Sequence, residues 1–259
     1  MKQTLHRGGI WLSWTGFTTL ILAWYLFTSL GFIDPDIFPG PLAVVGATLT
    51  NVALPRLFQH MGISLLRVVV GFTVGGVVAV LLGIISGWYS RLGGVLATPI
   101  ELTRPIPPLA WLPLAIMWLG LGEFSKIFII FLGAFFPMFT NTYKGMLRIE
   151  PEILRAGQML GLQGFRLLLK VAIPATLPDI ATGMRVGWSY SFGCMVVAEM
   201  LAAKSGLGYM IMHAREMGQI AVIISGVMII GMMSLLTDYI IQGIVVKGKL
   251  KWLSVSTAL

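Results

Sequence analysis

Charge is what this sequence has least of. Only 11% of its 259 residues are Asp, Glu, Lys or Arg, against about 25% in an ordinary soluble domain. A chain so poor in charge cannot cover a soluble surface, so an integral membrane protein is the first reading. Cysteine is almost missing as well. Cys194 stands alone in an apolar run, which excludes an intramolecular disulfide. His6, His60 and His213 are far apart, and no Cys/His cluster has metal-ligand spacing. Nor is there a G-x-x-x-x-G-K-[ST] phosphate loop, since "KGKL" at 247–250 lacks the leading glycine spacing and the Ser/Thr. The chain is therefore not expected to hydrolyse ATP by itself, and no metal or cofactor is expected within it.

What is abundant is apolar sequence, at 57% of residues. A bilayer is crossed by about 20 apolar residues, and six stretches qualify as spans: about 10–32, 62–88, 92–119, 126–143, 175–202 and 220–246. The expected class is an all-α integral membrane protein, with residues 1–259 forming one membrane domain. Lys2 and Arg7 before the first run imitate a signal peptide. The run is too long for an h-region of roughly 7–15 residues and lacks an A-x-A site, so it reads as a retained span. "GFIDPDIFPGP" reads as a loop from its Asp-Pro and Pro-Gly pairs, and "TLTNVALPRLFQHM" as including a short surface helix.

The formal net charge of +8 would suggest nucleic acid in a soluble protein. Here it reports orientation, and no nucleic-acid partner is expected. With the N-terminus inside, the inner segments hold eleven Lys and Arg, the outer loops four (Arg56, Lys126, Lys204, Arg215) and the spans three (Arg67, Arg104, Arg185). That bias places both termini in the cytoplasm. It also places residues from about 148 to 174 in the longest inner loop.

This loop is charged and helix-like. Pro151 suits a first helical turn, and Glu150 and Glu152 suit its dipole. Gly161 permits a positive φ or a close backbone approach. "FRLLLKVAI" follows as a second helical piece, and Pro174 and Pro178 set the entry to the fifth span. The pattern describes a helix–turn–helix knob. On physics alone, an interfacial anchor and a docking element are equally compatible with it.

The spacing resembles the EAA loop of ABC importer permeases: a triplet, three residues, Gly, nine residues, then an I-x-L-P-like end. Arg155-Ala156-Gly157 fills the triplet, Gly161 the glycine, and Val171-Ala172-Ile173-Pro174 the end. Arg155 and Gly157 depart from the usual Glu and Ala. Further blocks in matching order, "SLLRVVVGF", "RPIPPLAWLPLAIMWLGLGEFSKI", "FFPMFTNTYKG", "LPDIATGMRVG" and "AEMLAAKSGLGYMI", resemble the nitrate/sulfonate/taurine/bicarbonate branch of these permeases. The resemblance implies a type I importer fold in the bacterial inner membrane. It also implies a second permease chain as a homodimer partner, membrane lipid around the spans, and an extracytoplasmic substrate-binding protein. Two cytosolic ATPases would bind the ATP and Mg and dock on the loop through Arg155, Ala156, Gly157, Gly161, Ile173 and Pro174.

Ionisable residues inside spans are costly and are functional candidates. Arg67, Glu101, Arg104 and Glu199 are assigned here to the substrate pathway. The bland alternatives are an i,i+3 pair of Glu101 with Arg104 and snorkelling of Arg67 and Arg185 to a membrane edge. Pro105, Pro107, Pro108 and Pro113 should break the third span, and broken backbone at that depth suits a cavity wall. Gly71/Gly75, Gly83/Gly87 and Gly183/Gly187 read as close helix packing. A secondary transporter with Glu199 or Asp238 as proton site is the runner-up, weakened by the inner knob and the lack of inverted repeats. A membrane-embedded enzyme finds no reactive pair to support it.

Overall fold

A computed structural model describes residues 4–31, 34 and 37–247. Phe32 at the end of the first expected span, and Lys2, Lys249 and Lys251 among the inner charges, lie outside the described residues. Every regular element among the described residues is helical. In chain order they are α1 (Thr4–Ser29), α2 (Pro41–Asn51), α3 (Leu54–Trp88), α4 (Ser90–Thr103), α5 (Leu112–Leu119), α6 (Glu123–Leu147), α7 (Pro151–Met159), α8 (Gly164–Leu167), α9 (Ile173–Ala202), α10 (Leu207–Glu216) and α11 (Ile220–Lys247). Four runs are long and apolar enough to cross a bilayer: Leu54–Trp88, Glu123–Leu147, Gly164–Ala202 and Ile220–Ile241.

Two compact units divide the chain: Met1–Gln59 with Met210–Ile229, and His60–Tyr209 with Ile230–Leu259. In the smaller unit, Trp24 of α1 lies 6.0 Å from Phe38, ring centre to ring centre. The surface helix expected within 48–61 does not form as a separate element. Pro41 starts α2 early, extended Val52 ends it, and Leu54-Pro55 then opens α3 directly. Proline is tolerated in a first helical turn because its missing N–H has no partner to lose there.

The larger unit is organised around α6. Its neighbours α3 and α9 present glycine to it, as small-residue packing between apolar helices demands. A methyl group at Gly75 would sit 2.7 Å from the Phe131 carbonyl, and one at Gly83 2.8 Å from Thr142 Cβ. From the other side, methyls at Gly183 and Gly187 would press on Asn141 and on Ala134. Phe131, Phe135, Phe139 and Tyr143 stack at four-residue intervals along α6, with ring centres 5.5–5.9 Å apart. Phe139, Ile129 and Ile130 are fully buried.

The third span is broken as its prolines require. α4 ends at Thr103, the chain passes irregularly through Arg104–Pro107, a 3-10 turn covers Pro108–Trp111, and α5 resumes at Leu112. The join between loop and fifth span differs from expectation. Pro174 does not mark a fresh start, because helix runs from Gly164 to Ala202. Residues 168–172 form one π turn, and the Ile173 N–H reaches Leu168 O. A proline crowds the carbonyl four residues back, and the widened turn just ahead of Pro174 accommodates that crowding within a continuous helix.

Candidate functional site

Three constellations concern function, and all three lie within the larger unit. The first is the knob. α7 begins with Pro151 at its first position, and its axis ends in a Schellman pair: the Gly161 N–H donates to Gln158 O (2.9 Å) and the Leu162 N–H to Gly157 O (3.1 Å). Gly161 adopts φ +82°, and no atom lies within 4 Å of where a Cβ would stand. The glycine is therefore required by backbone conformation, not by crowding within the chain. Crowding belongs to Gly157, where a methyl would meet Leu167 Cδ1 at 2.7 Å and Val171 Cγ2 at 3.0 Å. That approach clamps α7 against the π turn. Ile173, Leu154 and Ile149 pack on buried Met146, Leu168 and Ala172, which ties the knob to the end of α6. Arg155 and Ala156 face outward. So do apolar side chains: Met159 is 88% exposed, Leu160 83% and Phe165 65%.

The second is a cleft of about 440 Å³ between α6, α9 and the broken third span. Arg104 and Pro108 line it from the break, Thr140, Asn141, Lys144 and Arg148 from α6, and Val186 and Tyr190 from α9. The charged residues of its lining are all cationic. Arg104 Nη1 donates to Glu101 Oε2 at 3.1 Å, and Thr140 Oγ1 donates to Glu101 Oε1 at 3.1 Å. Both partners of this i,i+3 pair are partly exposed, so it holds geometry more than it adds stability.

The third is a buried ionic knot. Arg67 of α3 is 3% exposed. Its Nε and Nη2 donate to the two carboxylate oxygens of Glu123 at 2.6 and 2.7 Å, a bidentate fork. Its Nη1 donates to Glu199 Oε1 and to the Ser205 carbonyl, both at 2.7 Å. Glu199 also accepts from Ser64 Oγ at 2.8 and 2.9 Å and from the Gly208 N–H at 2.9 Å. The Leu207 N–H donates to Ser64 Oγ and the Gly206 N–H to His60 Nδ1. Gly206, at φ +115°, leaves its Cβ position to the Glu199 carboxylate. Lys126, nearly buried in the first turn of α6, completes the group on Glu123 at 2.8 Å. The knot fastens α3, the start of α6 and the end of α9 to the turn before α10.

The structure thus separates the four pathway candidates into pairs. Arg67 and Glu199 meet each other inside the protein, while Glu101 and Arg104 meet at a cleft. Sequence reasoning missed Glu123 and Ser64, which complete the knot, and Lys144 and Arg148, which line the cleft. The second omission had a signal: residues 137, 140, 141, 144 and 148 recur at helical spacing. Among the described residues no group of three or more His, Cys, Asp or Glu is placed to hold a metal ion.

Residues 79–247 match the family described as binding-protein-dependent transport system inner membrane component. Over 210 residues, 79% of each chain, the sequence is 47% identical to a protein named as an ABC transporter permease in Methanocaldococcus jannaschii. It is 35% identical over 241 residues to an aliphatic sulfonates transport permease protein of Escherichia coli K12, covering 92% of this chain and 89% of the relative. It is 34% identical over 225 residues to the taurine transport system permease protein of the same strain, covering 85% and 82%.

Proposed function

This chain belongs to the family of binding-protein-dependent transport system inner membrane components, and from that premise we propose that it carries a small organic anion or zwitterion of the sulfonate or taurine class into the cell. It is a multi-pass membrane permease subunit of an ABC importer, and it is not itself an ATPase. The observation that carries the substrate reading is the cleft whose charged lining residues are Arg104, Lys144 and Arg148. A cationic, partly apolar cleft favours an anionic head group with a short tail. The relatives named for aliphatic sulfonates and taurine point the same way.

In this reading a second copy of the chain completes the pathway and a substrate-binding protein loads it from outside. Two cytosolic ATPases bind ATP and Mg and dock on the α7–α8 knob. The exposed Met159, Leu160 and Phe165 supply an apolar contact for that docking, with Arg155, Ala156 and Gly161 beside them. Gly157, Ile173 and Pro174 transmit the movement, since they join the knob to the π turn and to α9. The knob and both termini then lie on the cytoplasmic side. Glu199 is held by Arg67, Ser64 and Gly208, an arrangement suited to a fixed carboxylate and not to a proton carrier.

The test is reconstitution of the permease with its partner ATPase and substrate-binding protein. ATP-dependent accumulation of taurine or butanesulfonate in proteoliposomes is the expected result. Accumulation driven by a proton gradient without the ATPase would overturn it. In the same vesicles, a cysteine placed at Gln158 should react with an impermeant thiol reagent only from the ATPase side.

A further inference from the structure

The cations of the cleft are arranged in order. Pro137, Asn141, Lys144 and the capping Arg148 follow one another along a single face of α6 at steps of three and four, with Thr140 beside Asn141, and all line the cleft. The hydrogen bond from Thr140 to Glu101, and that from Arg104 to the same carboxylate, set Arg104 at the level of the Thr140 turn. Lys144 and Arg148 come one and two turns later, about 6 and 12 Å further along the axis at 1.5 Å per residue. The direction is toward the knob, since Arg148 caps α6 and α7 begins at Pro151.

The three cations are compensated unequally. Glu101 pairs with Arg104. Lys144 and Arg148 make no side-chain hydrogen bond or ion pair among the described residues. The nearby acid, Asp179 of α9, packs at Gly145 without bonding to either. The remaining wall is apolar: Leu132 and Phe136 lie on the α6 turns before Thr140, with Val186 and Tyr190 across on α9. The cleft is therefore apolar at one end and carries unneutralised positive charge at the other.

We propose that Lys144 and Arg148 form an inward station for the oxyanion head group of a translocated organic anion, whose tail lies on Leu132, Phe136, Val186 and Tyr190 while Arg104 still holds the head group. This rests on the anion-import reading above and adds a site to it. Arg104, already half satisfied by Glu101, takes the head group first. Lys144 and Arg148 then receive it one turn at a time, so the head group is never beyond reach of a cation and never held by all three. Several weak sites in series allow both entry and release. A bare inorganic oxyanion would leave the apolar end of the cleft uncovered, which is why the assignment is to an anion with a tail. An anionic lipid head group offers the same oxyanion chemistry, and the experiment separates the two sources.

The complete transporter, with Cys194→Ser and Asn141→Cys, is placed in phosphatidylcholine nanodiscs. The cysteine is modified with 2-sulfonatoethyl methanethiosulfonate, itself a short-tailed sulfonate, and with its trimethylammonium counterpart. The anionic reagent should react about tenfold faster than the cationic one, because a cleft of one charge sign concentrates counter-ions by that order. The Lys144→Gln/Arg148→Gln pair should abolish the preference, and Lys144→Arg/Arg148→Lys should retain it. Butanesulfonate should slow modification in the parent protein and not in the Gln pair. If the Gln pair fails to assemble, each single change should halve the preference or more. A preference unaffected by these changes, or no protection by butanesulfonate, overturns the proposal. So does protection that appears only when phosphatidylglycerol is added to the disc, which would assign the site to lipid. Those outcomes leave ATP-driven uptake by the unmodified protein intact, whereas loss of that uptake would sink the import reading itself.

Discussion

Replacing Gly161 separates two demands that the sequence leaves merged. The residue sits at φ +82°, closing α7 through the two bonds from its own N–H and that of Leu162. A Cβ there would have no atom within 4 Å beyond its own chain neighbours. The intramolecular cost of a substitution is therefore backbone strain alone, about 1–2 kcal/mol for an ordinary residue in the left-handed region, and less for Asn or Asp. Set against a typical folding stability of about 5–15 kcal/mol, that leaves the knob formed. In the docking reading, an ATPase seated on the knob imposes a second, larger cost. The neighbouring Leu160 is 83% exposed, so the apex is covered only when a partner sits on it, and an aspartate covered there without a partner charge is strongly disfavoured. A penalty of about 3 kcal/mol at the docked interface corresponds to roughly a hundredfold loss of productive association. Gly161→Asn should keep the helical circular dichroism and part of the ATP hydrolysis stimulated by loaded binding protein. Gly161→Asp should keep the same helical signal and lose the stimulation. Wild-type stimulation in the Asp variant, with the complex intact on gel filtration, would refute the docking role.

Arg104→Gln should fold and assemble, because its pair with Glu101 is partly exposed and worth about 1 kcal/mol or less, but should lower uptake of taurine or butanesulfonate at least about tenfold, the value of one lost charge-assisted contact. Full uptake in the double variant Glu101→Gln/Arg104→Gln would remove Arg104 from the substrate path. Glu199→Ala should destabilise the protein by about 3–5 kcal/mol, since it removes one of the two carboxylates that compensate the buried Arg67 and takes the acceptor from the Ser64 hydroxyl and the Gly208 N–H. Thermal unfolding in detergent would show this as a large drop in midpoint, and an unchanged midpoint would mean the knot is not structural.

Much of this protein was legible before any tertiary contact was known. The second, fourth, fifth and sixth apolar stretches became long helices because hydropathy and length are local properties. Pro105, Pro107 and Pro108, clustered within four residues, broke the third, and Pro113 sits in the first turn where α5 resumes. The glycine pairs at 71/75, 83/87 and 183/187 became helix contacts, and the helix–Gly–helix knob formed where Pro151 and Gly161 punctuated it. The early start of α2 and the unbroken helix through Pro174 escaped, because both depend on how neighbouring turns absorb a proline. The knot escaped more completely. Arg67 finds Glu123 across 56 positions and Glu199 across 132, and no periodicity reports which buried charges will converge. The same holds for the cleft, where sequence counted Lys144 and Arg148 only as inner-face charges. Their alignment with Arg104 arises because Thr140 holds Glu101, and with it the broken end of α4, against one face of α6. Charge type and spacing are written along the chain, but the field at a site is a sum over helices, and only their packing decides which charges add.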